Sequence, residues 1–185
     1  IKALEHADVC ILMIDANEGF QAQEQNLFHL CQKNLKGVVV VVNKWDLVAE
    51  KDTMTSKKFT DMIKEKTAPF RDVPVIFTSV TEKQRILKVI ETAIKVYEQK
   101  NLKIPTHALN EFVLEIIDQT PPPATKGKYV KIKYATQLKG NPQTFLFFCN
   151  LPQYVGDTYK RFLENKIRDM YDFEGVPLQI FFRKK

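Results

Sequence analysis

Asn43, Lys44 and Asp46 stand in an N-K-x-D spacing around Trp45, the single tryptophan of the chain. A carboxylate at Asp46 can accept two hydrogen bonds from adjacent donors, as the ring N–H and exocyclic amine of guanine provide. Charge-assisted pairs of that kind are strong and geometrically selective. Asn43 offers an amide to a base acceptor or to a neighbouring loop, and the Lys44 stem can lie flat over a purine ring. The four residues follow five consecutive valines (38–42). In open parallel sheets, ligands bind where loops leave the carboxyl ends of the strands. A polar loop that only ends a strand is the plainer alternative. Position after a strand in a β-α-β series favours the binding reading.

The elements that must hold such a loop are legible upstream and downstream. "DVCILMID" (8–15), "GVVVVVN" (37–43) and "VPVIFTS" (73–79) read as strands, apolar without alternation as in sheets covered on both faces. Between them lie amphipathic stretches at 21–34, 55–67 and 84–99. The expected inner faces are Leu27, Leu30 and Cys31, then Phe59, Met62 and Ile63, then Ile86, Ile90, Ile94 and Tyr97. Short strands separated by helices of this length mean βαβ units and a parallel sheet. "NLKIP" (101–105) reads as a linker.

Beyond it the rhythm changes to α-β-β-α-β. The spacing predicts a helix over 106–118 with Thr106 as N-cap. A proline-rich loop follows (119–128), then a strand in "YVKIKYAT" (129–136), a "KGNP" turn (139–142) and a strand in "TFLFFCN" (144–150). A helix over about 157–171, lined by Tyr159, Phe162, Leu163, Ile167 and Met170, precedes a last strand at 177–184. This is an α+β plan with helices on one face of a three-stranded sheet. Alternation puts Tyr129, Lys131 and Lys133 on one face and Val130, Ile132 and Tyr134 on the other.

At 185 residues and 44% hydrophobic content the chain can bury one generous core or two small ones. No apolar run approaches the length of a membrane span, and the charged start "IKALEHAD" is no secretory leader. The absence of an initiator Met suggests that the natural protein extends upstream. Cys10, Cys31 and Cys149 are widely spaced in apolar settings and read as reduced core thiols of a cytoplasmic protein. His6, His29 and His107 are scattered, so no metal site built from protein ligands alone is expected. Most of the net charge of +6 falls after residue 100, which points to an acidic partner there, nucleic acid first.

The N-K-x-D motif resembles the base-specificity element of translation-factor-like GTPases, and "TSV" at 78–80 resembles their serine–alanine loop with Val80 in place of alanine. The stretches "ADVCILMIDANEGFQAQEQN", "VVVVVNKWDLVAEKD", "TSVTEKQRILKVIE" and "NLPQYVGDTYKRFLENKIRDMYDFEGVPLQIFFRKK" together resemble the C-terminal portion of the Der, or EngA, family of bacterial tandem GTPases. The resemblance implies the latter half of a P-loop GTPase sheet over 1–100, a linker at 101–105 and a KH-like domain over 106–185. It implies that Asn43, Lys44 and Asp46 read guanine, supported by Ser79 and a backbone N–H at Val80. It further implies a longer parent with upstream GTPase domains, which binds and hydrolyses GTP with Mg²⁺ and acts on the large ribosomal subunit and its rRNA. Glu82-Lys83 replaces a pair that more often contains glycine in the family.

No G-x-x-x-x-G-K-[ST] phosphate cradle occurs in the sequence, and "DANEG" lacks the D-x-x-G of a magnesium-associated acid, so Asp15 is read as a strand-end loop residue. The expectation is a chain that begins after those elements, is inactive alone and holds no nucleotide. An unpaired edge along 9–14 is then expected to promote self-association. No G-x-x-G clamp is present in the KH-like part. Its open sheet face suits either a domain interface, the preferred reading, or RNA. Lys131, Lys133, Lys160, Arg161, Lys166, Arg168 and Arg183 are the candidate RNA contacts. A free-standing RNA-binding adaptor with an inert α/β half is the competing function.

Overall fold

The structure is a computed structural model that describes residues 2–49, 53–140 and 142–185. The chain divides into two compact units, residues 1–100 with 173–177, and residues 101–172 with 178–185. The sequence reading assigns 173–177 to the second part. In the structure the Val38 N–H donates to the Gly175 carbonyl at 2.8 Å, and the Gly175 N–H donates to the Asp72 carbonyl at 2.8 Å. Gly175 has φ +76°, and a Cβ there would stand 2.7 Å from the Val38 oxygen. Only glycine combines that left-handed backbone with so close an approach.

In the first unit β1 (Val9–Asp15), β2 (Gly37–Asn43) and β3 (Val75–Phe77) form a parallel sheet in that order. The crossover helices are α2 (Ala22–Lys33) and α3 (Thr53–Lys66), with α4 (Ile86–Lys100) after β3 and a short α1 (Lys2–His6) before β1. Six of the seven β2 residues are buried, which is why the strand reads as unbroken valine. Val38, Val40 and Val42 join Leu12, Ile14, Phe28, Cys31 and Ile63 in one core. Val39 and Val41 point the other way, toward α4, whose Val96 lies so close to Gly37 that a Cβ there would meet it at 2.7 Å.

Two helix-face expectations fail, that for α2 in part and that for α4 largely, because periodicity finds apolar stripes but the sheet selects which stripe it covers. In α2 the buried pair is Phe28 and Cys31, while Leu27 is exposed. In α4 Val89 and Val96 are buried, while Ile90, Ile94 and Tyr97 are about half exposed. β1 is covered on one face only. Ile11 and Met13, on the Val39 and Val41 side, are 46% and 56% exposed. Among the described residues no strand pairs with the other edge of β1.

The second unit carries β4 (Ile132–Gln137), β5 (Gln143–Cys149) and β6 (Leu178–Lys184), with β4 antiparallel and β6 parallel to β5. Helices α5 (Thr106–Gln119) and α6 (Asp157–Tyr171) bury Leu109, Val113, Ile117, Tyr159, Leu163 and Ile167, matched by Phe145, Phe147 and Cys149 from the sheet. Thr106 is the first helical residue rather than the cap, which is Pro105 in extended backbone without a side-chain capping bond. Met170 lies outside the buried stripe at 57% exposed. The "KGNP" turn includes Asn141, which lies outside the described residues. The expected alternation also breaks. A register shift between Ile132 and Tyr134 flips the strand's phase, so Ile132 and Ala135 are buried while Tyr134 stacks on Phe148, ring centroids 4.4 Å apart.

The fold is thus an α/β unit with a three-stranded parallel sheet, followed by an α+β unit with a mixed three-stranded sheet.

Candidate functional site

The carboxyl ends of β1 and β2 end in register, Asp15 opposite Asn43, and β3 runs on into Thr78 and Ser79. Backbone bonds knit the departing loops together. The Ala16 N–H donates to the Asn43 carbonyl at 2.9 Å, the Thr78 N–H to the Val42 carbonyl at 2.8 Å, and the Trp45 N–H to the Thr78 carbonyl at 3.0 Å.

Asn43 takes the loop-clamping role. Its Oδ1 accepts from the Thr78 hydroxyl at 3.4 Å and from the Val80 N–H at 3.3 Å, and its Nδ2 donates to Met13 Sδ at 3.8 Å. Trp45 explains why a large aromatic interrupts the polar motif. It is buried against Phe59 and Phe77, ring centroids 5.6 and 4.4 Å away, and so pins the short 3₁₀ turn Trp45–Leu47 to the core. Asp46, carried by that turn, is half-buried. Its carboxylate makes no hydrogen bond or ion pair among the described residues. The acceptor that the motif needs is therefore presented and unspent.

Lys44 is left-handed (φ 59°, ψ 31°), and its ammonium lies 2.7 Å from Asp15 Oδ2. That ammonium, helped by the Asn17 N–H, holds the Asp15 carboxyl below the usual carboxylate range, and Asp15 in turn raises Lys44. Ser79 is buried, and its hydroxyl accepts from the Glu82 N–H at 3.0 Å. Ser79 and Gln84 bridge the base of the loop through the Gln84 N–H to the Ser79 carbonyl at 2.8 Å. Lys83 and Arg85 both have positive φ, which shows why a glycine-containing pair suits this turn. Val80, at the tip, is exposed.

The candidate RNA contacts do not form one patch. Lys160, Arg161, Lys166 and Arg168 belong to α6, in the helix layer. Lys160 pairs with Asp157 at 2.9 Å, Arg168 pairs with Glu164 at 3.0 Å, and Lys166 lies over the Phe162 ring. Arg183 registers with Phe148 on the opposite sheet face. Lys131 precedes β4, Lys133 sits at its register shift, and both are exposed. The open face carries Tyr134, Leu146, Phe148, Phe181 and Arg183, with the Lys185 ammonium 5.1 Å from the Tyr134 ring centroid.

Two groupings escaped the sequence reading. Asp15, read as a strand-end loop residue, does end β1 and in addition is the partner of Lys44; an acid at the carboxyl end of the strand next to the motif is the available signal. Cys10 and Cys31, far apart in sequence, lie close enough to shift each other's thiols: Cys31, with Lys36 and Lys100 nearby, lowers Cys10 to about 7, and Cys10 together with burial pushes Cys31 up.

The parallel sheet thus holds an N-K-x-D turn and a Ser-Val loop side by side at its strand ends. Residues 1–99 match the elongation factor Tu GTP-binding domain model, and residues 103–183 match the C-terminal KH-domain-like model of EngA bacterial GTPase enzymes. Over the whole chain it is 56% identical to GTPase Der of Flavobacterium psychrophilum, 56% to GTPase Der of Bacteroides fragilis and 53% to that of Porphyromonas gingivalis. It spans 42%, 43% and 42% of their lengths, respectively. The chain therefore belongs to the elongation-factor-type GTP-binding family and, within it, to the Der, or EngA, branch. No described helix is long and apolar enough to cross a membrane.

Proposed function

We propose that this chain is the base-reading and KH-like part of a cytoplasmic GTPase that acts in assembly of the large ribosomal subunit. The observation that carries the reading is the Asn43 clamp. One amide oxygen ties the Thr78–Val80 loop to the end of β2, and among the described residues the Asp46 carboxylate on the next turn makes no hydrogen bond or ion pair. Asp46 would accept from the guanine ring N–H and amine, and Lys44 would lie across the ring. Val80 would turn its backbone N–H from Asn43 to the base carbonyl, and Ser79 would hold the loop that carries it. The residues present fit the base. The triphosphate and Mg²⁺ call for a glycine-rich cradle, a lysine and a metal-holding hydroxyl, and that motif is not among these 185 residues. When bound in the full-length protein, the Mg²⁺ would neutralise charge on the transferred phosphate. This chain's own work is to select and orient the base.

The chain alone is accordingly inactive, with weak or no affinity for GDP. Calorimetric titration of the purified chain with GDP should give no measurable heat of binding; micromolar affinity overturns this. In the full-length protein Asp46→Asn should abolish the preference for guanine and shift it toward xanthine, since an amide donates where the carboxylate only accepts. An unchanged preference overturns the assignment of the site. Partners of the KH-like part are the ribosomal RNA and the upstream GTPase domains of the longer protein. The bare edge and face of β1 mediate self-association when the chain is isolated.

A further inference from the structure

We propose that Asp15 is a positioning residue of the guanine site, fixing Lys44 in place before any nucleotide arrives; this rests on the site reading given above. The lysine of an N-K-x-D turn is useful only if its stem lies across the plane of the purine. A four-carbon stem on an exposed loop has many rotamers, and ordering it on binding costs affinity. The structure removes that cost at two points. At the root, the left-handed backbone of Lys44 sets the direction in which the side chain leaves β2. At the tip, the ammonium is held by Asp15 Oδ2 at 2.7 Å.

Asp15 is itself rigid. It ends β1 in register with Asn43, and its second oxygen, Oδ1, accepts from the Asn17 N–H at 2.9 Å. Its own carbonyl accepts from the Gly19 N–H at 2.9 Å, so the loop after β1 closes around it. Both carboxylate oxygens are thereby committed, one to the loop and one to the lysine. Lys44 is tied at both ends across the gap between two strand ends, with its side chain still 55% exposed. A pair this exposed contributes little to folding. The structure spends a left-handed non-glycine residue and a committed carboxylate here, and that expenditure is explained by preorganisation of the binding site.

The test is a double-mutant cycle in the full-length protein, read by fluorescence titration with labelled GDP, XDP and ADP. Asp15→Ala should weaken GDP roughly three- to tenfold while leaving the order of preference among the three bases unchanged. Lys44→Ala should weaken it at least as much, and the double variant should be no weaker than Lys44→Ala alone. Asp15→Glu should recover part of the loss, and Asp15→Asn, of the same shape, serves if Asp15→Ala lowers the melting temperature. Wild-type affinity in Asp15→Asn, or effects of Asp15 and Lys44 that simply multiply, overturns the proposal. Asp46→Asn run in parallel separates the two failures. If it leaves guanine preference intact, the site reading fails. If it shifts preference to xanthine while the Asp15 variants are silent, only the role of Asp15 fails.

Discussion

In the parallel sheet the uncovered part is β1, where Ile11 and Met13 are open on one face and the strand edge is unpaired among the described residues. The half-exposed Ile90 and Ile94 of α4 are bare in the same unit. In the mixed sheet the less covered part is the face opposite α5 and α6, where Phe181 is 50% exposed, Tyr134 stacks on half-buried Phe148, Lys185 lies over the Tyr134 ring, and the buried Thr144 donates from its hydroxyl to Gln179 at 3.3 Å. The first surface is aliphatic at Ile11, Met13, Ile90 and Ile94, as an interior is. The second mixes aromatic rings with cations and hydrogen-bonding groups, as a surface that meets water or a polar partner does. Both surfaces are at least partly exposed, and their chemistry differs. The β1 face has the chemistry of an interior, and the β4–β6 face that of an exterior or a polar interface.

That contrast can be broken by substitution. The largest effect is expected in the second unit: Phe145→Ala, on the covered face of β5, should cost about 3–5 kcal/mol in urea denaturation. Phe148→Ala, three residues along β5 on the open face, should cost about 1 kcal/mol because stacking with Tyr134 is most of what it loses. Equal costs would mean that the open face is core after all. In the first unit, Val39→Ala should cost on the order of 2 kcal/mol, and Ile11→Ala, on the same face of the neighbouring strand, within about 0.5 kcal/mol. Ile11→Lys with Met13→Lys should leave stability nearly unchanged and move the isolated chain toward monomer in sedimentation velocity, whereas Phe181→Lys should not. Persistent association of the double lysine variant rules out β1 as the contact. The smallest effect concerns the thiols: near about pH 8, iodoacetamide should label Cys10 ahead of Cys31 and Cys149, since only thiolates react and both of the others are pushed up, Cys31 by Cys10 and burial and Cys149 by burial. Labelling of Cys149 ahead of Cys10, followed by peptide mass mapping, would contradict the Cys10–Cys31 pairing.

Local signals carried much of the fold. Five valines, the Asn-Lys-Trp-Asp turn and the proline loop each announce themselves through nearest-neighbour chemistry, and they locate β2, the candidate base site and the end of α5. The failures are equally specific. Ile90 and Tyr97 lie on an apolar stripe of α4 as strong as the one that is buried, and no local rule says which stripe meets the sheet. A single register shift at Lys133 reversed the facing of Tyr134, and nothing in "YVKIKYAT" encodes it.

What the sequence determined alone is the type and order of the elements and the identity of the turn after β2, because both depend on residues a few positions apart. Only the tertiary structure decided that Asp15 meets Lys44, that Cys10 meets Cys31 and that Gly175 closes on Val38. Those pairings join positions 29, 21 and 137 residues apart in the sequence, brought together by strand order and helix crossover, which no short window of the chain can express.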